Sequence, residues 1–323
     1  MIIDSHVDTP SQLIRYSRNI GVDSPDAQVD FPKMKAGEVS GAFFALYTPP
    51  EIKGADATRR ALEMLSAAYD ACDENPNVAA ITFSPEEAAE NRAQGLLSVF
   101  LGMENAEPIG ESRSLLRTFY RLGVSYVTLT HNADNAVADS AAEGTRWGGL
   151  SPFGREVVAE MNALGMMIDL SHASDKAFWD CIEASQAPIV ATHSCCRALC
   201  GHRRNLSDDM LKALGEKGGY VGINFYPYFL SDRFDQAKPW RPGVKEIVDH
   251  IDHAVQLAGI DHVGIGSDFD GIEDLTPEGL ENISKSRLVL DEMRRRGYSE
   301  PEVLKVAGQN LLEVWKTIIT CSK

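Results

Sequence analysis

Ile2-Ile3-Asp4-Ser5-His6-Val7-Asp8 opens the chain with an apolar pair that runs into a histidine and a carboxylate two residues apart. Side chains two apart on an extended strand share a face, so His6 and Asp8 can serve one metal ion from a single backbone segment. Two further histidines, His172 and His193, stand at the ends of later apolar runs. The pattern reads as a buried metal site carried on barrel strands.

Working outward, the β-rich apolar runs are 2–6, 42–47, 97–101, 124–130, 166–170, 189–192, 220–225 and 263–266. Each closes on polar or small residues and is followed by a helical pattern. Continuous apolar runs, unlike alternating ones, suit parallel strands covered on both faces. Eight of them alternating with helices predict an α/β chain folded as a (β/α)8 TIM barrel. The helices carry their own punctuation. Ser151 caps a helix over 152–164 with Pro152 in its first turn, and Ser207-Asp208-Asp209 opens one running to Lys217. Val244, Ile247, Val248, Ile251 and Ala254 trace one helical face that Gly259 ends. His250 and His253 lie at the edge of that stripe and read as packing or surface histidines. A helical insert is expected over 49–94, with helices near 57–72 and 86–92, and two more helices over 277–296 and 301–319. Residues 1–323 read as a single domain.

With 323 residues and 44% hydrophobic side chains, the chain is long enough for one large α/β core. Its formal net charge of −16 argues against a nucleic-acid partner, because phosphate binding needs clustered Lys and Arg. The short Arg294-Arg295-Arg296 run reads as a solvated helix face. The first strand begins almost at Met1, leaving no room for a leader peptide. No run approaches a membrane span, and 317–323 is too short for an anchor signal. The expectation is a cytoplasmic protein with no membrane partner. Cys72, Cys181, Cys195, Cys196, Cys200 and Cys321 form no paired framework and read as reduced, small packing residues.

In this fold, residues at the C-terminal ends of strands face the active site. Those ends give, in order, His6 and Asp8, then Glu104, His131, His172, His193, Asn224 and Asp268. A single buried histidine is more often a hydrogen-bonded core residue than a ligand; the shared strand-end position of the set is what points to a site. His262 precedes its strand and belongs to the opposite end of the barrel. Gly264-Ile265-Gly266 lacks the third glycine of a dinucleotide loop, and Asp268-Phe269-Asp270-Gly271 lacks the spacing of a calcium loop.

The chain resembles the membrane (renal) dipeptidase family, a zinc branch of the amidohydrolase superfamily. The segments that carry the likeness are Asp4-Ser5-His6-Val7-Asp8, Gly102-Met103-Glu104-Asn105, Leu129-Thr130-His131-Asn132, Asp169-Leu170-Ser171-His172, Thr192-His193-Ser194, Arg204-Asn205-Leu206 and Gly264-Ile265-Gly266-Ser267-Asp268-Phe269-Asp270-Gly271. The resemblance implies two Zn2+ ions, with His6 and Asp8 on one, His172 and His193 on the other, and Glu104 bridging them. Imidazole and carboxylate suit zinc, and two cations roughly 3.5–4 Å apart can hold and deprotonate one water. By the same resemblance Asp268 shuttles the proton, His131 binds the scissile carbonyl oxygen, and Arg204 clamps the C-terminal carboxylate of a dipeptide substrate. Asn224 and Tyr226, after the seventh run, are candidates for the substrate pocket. The family likeness also implies tolerance of L-Xaa-D-Xaa dipeptides and a homodimer. Two other readings stand beside it: an N-acyl-D-amino-acid deacylase using the same metal cage, and a catalytically silent metal-binding scaffold.

Overall fold

Each of the eight apolar runs contributes a parallel strand in the computed structural model, which describes residues 1–142 and 145–322. Lys323, the last residue of the expected domain, lies outside the described residues. The strands are β1 (Ile2–Val7), β2 (Val39–Tyr47), β3 (Ala79–Ile81), β4 (Leu97–Glu104), β5 (Val124–Thr128), β6 (Met167–Asp169), β7 (Val190–Ser194), β8 (Tyr220–Ile223) and β9 (Val263–Ile265). Pairing runs β1-β2-β4-β5-β6-β7-β8-β9 and returns to β1, closing an eight-stranded (β/α)8 barrel. β3 stands outside the ring. It pairs with β4 at Leu97, Ser98 and Val99, ahead of the point where β5 joins β4 at Leu101.

β3 corrects the expectation of a purely helical insert. The insert does hold helices, Gly54–Asp73 and Pro85–Ala93. Three residues, Ala-Ala-Ile, carry no readable period, and this strand exists because the N-terminal half of β4 has an open edge to pair with.

One end of the barrel interior is dry. Ile3, Phe43, Phe100, Tyr126, Met167, Val190 and Tyr220, one from each of seven strands, cluster with Leu311, Val314, Trp315 and Ile318. The last four lie on the C-terminal helix Asn310–Cys321, and Trp315 meets the rings of Phe43 and Phe100 edge-on, each at 5.5 Å. The eighth strand contributes Gly264, whose missing side chain leaves room for the Tyr220 phenol. This layer closes the barrel at the strands' N-terminal end and leaves the other end for polar groups.

The expected helices at Pro152–Leu164, Asp208–Glu216 and Val244–Ala258 are present, the first two capped by Ser151 and Ser207. The expected helix over 277–296 begins only at Arg287 and runs to Arg295. Its first part is a loop that ends in a single 3-10 turn, Ile283–Lys285. Gly279 takes a left-handed φ of 79°, Asn282 accepts the Ser284 N–H, and the Glu278 and Ile283 N–H groups donate to Pro242 and Gln28. Such bonds to distant segments replace helical ones and cannot be read from local periodicity. The expected helix over 301–319 is two helical segments, Glu300–Leu304 and Asn310–Cys321, joined across a kink within Lys305–Gln309 where Gly308 leaves helical geometry (φ 157°) and approaches Ile3. Among the described residues, no helix is long and apolar enough to cross a membrane.

His250 is 1% exposed, so the edge of the stripe proves to be interior. Its Nδ1 accepts the Cys196 N–H at 3.0 Å and its Nε2 donates to the Leu230 carbonyl at 3.1 Å. A proton on Nδ1 would set N–H against N–H. Burial lowers the pKa of this imidazole to about 4. Between pH 6.5 and 4 the unfolded chain therefore takes up a proton that the fold refuses, and stability falls with pH. Wild type should lose up to about 3 kcal/mol across that window through this group alone. Urea denaturation at stepped pH should show the stability gap between wild type and His250→Gln narrowing as pH falls; a constant gap would mean that His250 titrates normally.

Candidate metal centre

Strict alternation along β1 would send His6 outward. Ile3 belongs to the interior layer, and Ser5 also points inward, its hydroxyl donating to the Thr192 and Ile265 carbonyls at 2.5 and 2.9 Å. The next inward side chain should be Val7. A bulge intervenes: Asp4 pairs with Ala42 but Val7 with Phe44, so β1 spends one residue more than β2. Val7 then packs in the outer core, and the His6 ring lies 3.8 Å from that of His193. β7 repeats the device, with Ala191 opposite Val221 but Ser194 opposite Ile223. Thr192 and His193 consequently both face the interior. Bulges re-aim side chains in this way at the rims of barrels.

The residues picked out at the strand ends converge on Glu104. His172 Nε2 lies 3.1 Å and His193 Nε2 3.4 Å from its Oε1, while His6 Nε2 lies 3.7 Å from its Oε2 and 3.6 Å from Asp8 Oδ2. All five side chains are buried. Ligand-capable atoms of His6, Asp8 and Glu104 fall within 4.8 Å of one another, as do those of Glu104, His131 and His172, and of His6, Asp169 and His193. Two of these residues sit in strained positive-φ conformations at strand ends, His172 at 71° and, across the site, Asp268 at 67°. Non-glycine residues held in that region cluster at functional sites.

Hydrogen bonds behind the rings decide which nitrogens face the centre. His172 Nδ1 lies 3.1 Å from the Asn132 side-chain oxygen, and His6 Nδ1 lies 2.8 Å from the Tyr126 hydroxyl. His193 Nδ1 lies 2.9 Å from Thr192 Oγ1, and the Thr192 hydroxyl itself donates to Asp169 Oδ2 at 2.7 Å. Asp169 accepts four such bonds, from Thr128 and Thr192 hydroxyls and from the Ser171 and Thr192 N–H groups. The Asn132 oxygen and the Thr192 hydroxyl, whose proton goes to Asp169, can only accept, so they favour Nδ1–H tautomers of His172 and His193, which turn those Nε2 lone pairs toward the Glu104 carboxylate. Lone pairs facing lone pairs at 3–4 Å are relieved only by a proton or a cation. Among the described residues, His6 Nε2, His193 Nε2 and Asp8 Oδ1 are buried without a hydrogen-bond partner.

The titration of the side chains points the same way. Burial and the Arg204 charge hold His172 well below its ordinary pKa, and burial and the His6 charge hold His193 below its own. Burial opposes a charge on His6 too, but Glu104 and Asp8 override it and raise that pKa. For Glu104 burial is outweighed by His6, His172 and His193, which keep it ionised. Asp8 is pushed up by burial and by the Glu104 charge. Two carboxylates therefore share one favoured imidazolium, a deficit of positive charge that a metal cation fits.

Above the centre lies a cavity of about 670 Å³, lined by Asp8, Glu104, His131, His172, Asp268 and Tyr226 among others. The His131 ring sits 4.7 Å from Tyr47 and 4.3 Å from His172, and its buried Nδ1 has no partner among the described residues. Burial lowers its pKa, aided by the Arg204 charge. Asp268 donates its N–H to the His6 carbonyl, and its Oδ2 accepts from Asn224 Nδ2 at 2.9 Å. Tyr226 is half-buried, its N–H bonded to Asn224 Oδ1. Arg204 is 5% exposed and does not line the cavity. It lies 5.3 Å from the Phe229 ring, donates to the His193 carbonyl at 3.2 Å, and has no carboxylate within ion-pair range among the described residues. His262 bonds to the Gly219 carbonyl at the opposite end, as expected. Cys195, Cys196 and Cys200 are buried free thiols, each with its pKa raised by burial.

Asn132, Asp169 and Thr192 stand in the segments that carry the family resemblance but receive no role from the sequence, and Tyr126 is not among them. Asp169 had a readable signal, a carboxylate inside the apolar run 166–170; the hydroxyls had none.

A closed parallel barrel with a histidine–carboxylate cluster at its C-terminal mouth defines a metal-dependent hydrolase of the amidohydrolase type. The family model of the membrane dipeptidases, peptidase family M19, matches residues 1–323, and the chain belongs to that family of metallopeptidases. An uncharacterized dipeptidase of Schizosaccharomyces pombe is 34% identical over 336 residues, covering 98% of this chain and 80% of its own length. The probable dipeptidase PvdM from Pseudomonas aeruginosa superposes with a TM-score of 0.91 at 28% identity, covering 99% of this chain and 96% of that one. A Rhodobacter sphaeroides metallo peptidase, solved with a phosphinate mimic of the dipeptide L-Ala-D-Ala, gives a TM-score of 0.90 at 29% identity over 98% of both chains.

Gly102 makes the space that Tyr126 needs to reach His6, because a Cβ there would overlap the phenol ring. An alanine in a strand interior ordinarily stabilises relative to glycine. Gly102→Ala should instead cost about 1–3 kcal/mol by overpacking, read as a lower urea midpoint; an unchanged midpoint would show that the ring yields freely.

Proposed function

We propose that the chain is a two-zinc dipeptidase that hydrolyses dipeptides bearing a free C-terminal carboxylate, L-Xaa-D-Xaa among them, with residues 1–323 acting as one domain. The observation that carries this reading is the convergence of unpartnered His6, His193 and Asp8 atoms on the buried Glu104 carboxylate at the floor of the cavity. His6 and Asp8 would hold one ion, His172 and His193 the other, and Glu104 both, since a carboxylate has an oxygen for each. When bound, zinc supplies Lewis-acid polarisation of the scissile carbonyl and lowers the pKa of the attacking water toward neutrality.

The remaining steps belong to the chain. Asp268 takes the proton of the attacking water and returns it to the leaving amine, and Asn224 keeps that carboxylate oriented. His131 hydrogen-bonds the carbonyl oxygen as negative charge develops on it. Arg204 binds the substrate's C-terminal carboxylate, for which its buried guanidinium without a carboxylate partner and its unpartnered Nε are suited. Tyr226 closes the pocket beside it. The L-Ala-D-Ala mimic held by the Rhodobacter sphaeroides relative supports the choice of substrate.

Release of free amino acid from L-Ala-D-Ala and L-Ala-L-Ala should vanish on chelation and return with zinc at two ions per chain. Asp268→Asn should lower kcat by about 10²–10⁴-fold while retaining both ions. Turnover of N-acetyl-D-Ala in preference to either dipeptide would replace this reading with a deacylase. A zinc-loaded protein that cleaves none of the three would make the chain a silent scaffold.

A further inference from the structure

The cavity reaches well beyond the metal cluster, and its far wall carries charge that the proposed chemistry does not use. Arg60, on the helix Gly54–Asp73 that follows β2, and Arg15, on the helix Thr9–Tyr16 that follows β1, both line it. Arg60 is half-buried and fixed through one atom, Nε donating to the Tyr47 carbonyl at 3.2 Å. Its two terminal amino groups have no hydrogen-bond partner among the described residues. Neither arginine has a carboxylate within 4 Å among the described residues, in a chain with 47 acidic against 31 basic side chains. Outside the Asp8, Glu104 and Asp268 group, the lining carboxylates are Asp270, already paired with Arg18 at 2.9 Å, and the exposed Glu273. The outer wall is therefore net positive.

Topology says which part of a dipeptide meets that wall. In the ring order β1-β2-β4-β5-β6-β7-β8-β9, β7 stands four strands from β2, on the opposite side of the mouth. Arg204 follows β7, whereas Tyr47 ends β2 and Arg60 hangs above it. A dipeptide whose C-terminal carboxylate is held at Arg204 and whose peptide carbonyl lies over Glu104 must extend its first residue toward β2 and β1. Building on the dipeptidase reading, we infer that Arg60, supported by Arg15, selects dipeptides whose first residue has an acidic side chain. A guanidinium with both amino groups free matches a carboxylate in forked geometry.

The test compares L-Glu-Ala, its uncharged isostere L-Gln-Ala, and L-Ala-Ala, with the second residue in whichever configuration the wild type cleaves faster. A charge-assisted hydrogen bond predicts kcat/KM about tenfold higher for the Glu than for the Gln substrate. That ratio should fall to about one in Arg60→Met, remain partly in Arg60→Lys, and shrink in wild type as salt is raised. A wild-type ratio of one or below overturns the inference. So does an Arg60→Met enzyme that loses activity on all three substrates equally with the ratio intact, which would assign Arg60 to a group common to every dipeptide. Good turnover of L-Ala-Ala without acidic preference removes this inference alone, whereas no turnover of any dipeptide removes the dipeptidase reading and this inference with it.

Discussion

A carboxylate sunk in the middle of a protein is the constraint on which this molecule turns. Glu104 is 3% exposed, at the end of the buried strand β4. A buried charge of this kind is tolerated only when paired and hydrogen-bonded. Here part of the compensation comes from a charged His6 on β1, while His193 on β7 and His172 in the turn after β6 stay neutral, each held by a partner behind it. Asn132 and the Thr192–Asp169 pair set the tautomers of His172 and His193, which direct lone pairs rather than protons at the carboxylate. The cluster is consequently short of positive charge, which a bound cation would supply.

The barrel supports that arrangement from below. Seven large interior side chains and the Trp315 plug exclude water from the N-terminal end, so the polar network above is fixed on a rigid floor. Small residues are placed where polar groups must cross: Gly102 lets Tyr126 span to His6, and Gly271 lets the Asp8 and Asp268 carboxylates come close. Packing and chemistry are thus arranged along the barrel axis, with sequence-adjacent residues such as Ser5 and His6 serving one layer each.

The cavity also has a direction. Arg60 and Arg15 line it on the side of β2 and β1, whereas Arg204 is buried outside its lining in the segment after β7, four strands round the ring from β2. Under the proposed function this polarity orders a short, doubly charged substrate, which gives a use to guanidinium groups that no carboxylate among the described residues pairs.

Fold class was legible because it rests on periodicity: eight continuous apolar runs separated by helical patterns leave few alternatives to a parallel barrel. The strand-end residues His6, Asp8, Glu104, His131, His172, His193, Asn224 and Asp268 were legible for the same reason, since the fold directs every such position to one mouth. The sequence alone could not place β3, the loop ahead of Arg287, or the hydroxyls of Tyr126 and Thr192, because each depends on a partner far along the chain. Nor could it show the bulges on β1 and β7. Alternation would send His6 and His193 outward, and only the pairing register with β2 and β8 turns them in. Residue types and their order determined which groups the site could contain; strand register, a property of two segments at once, decided which of them meet.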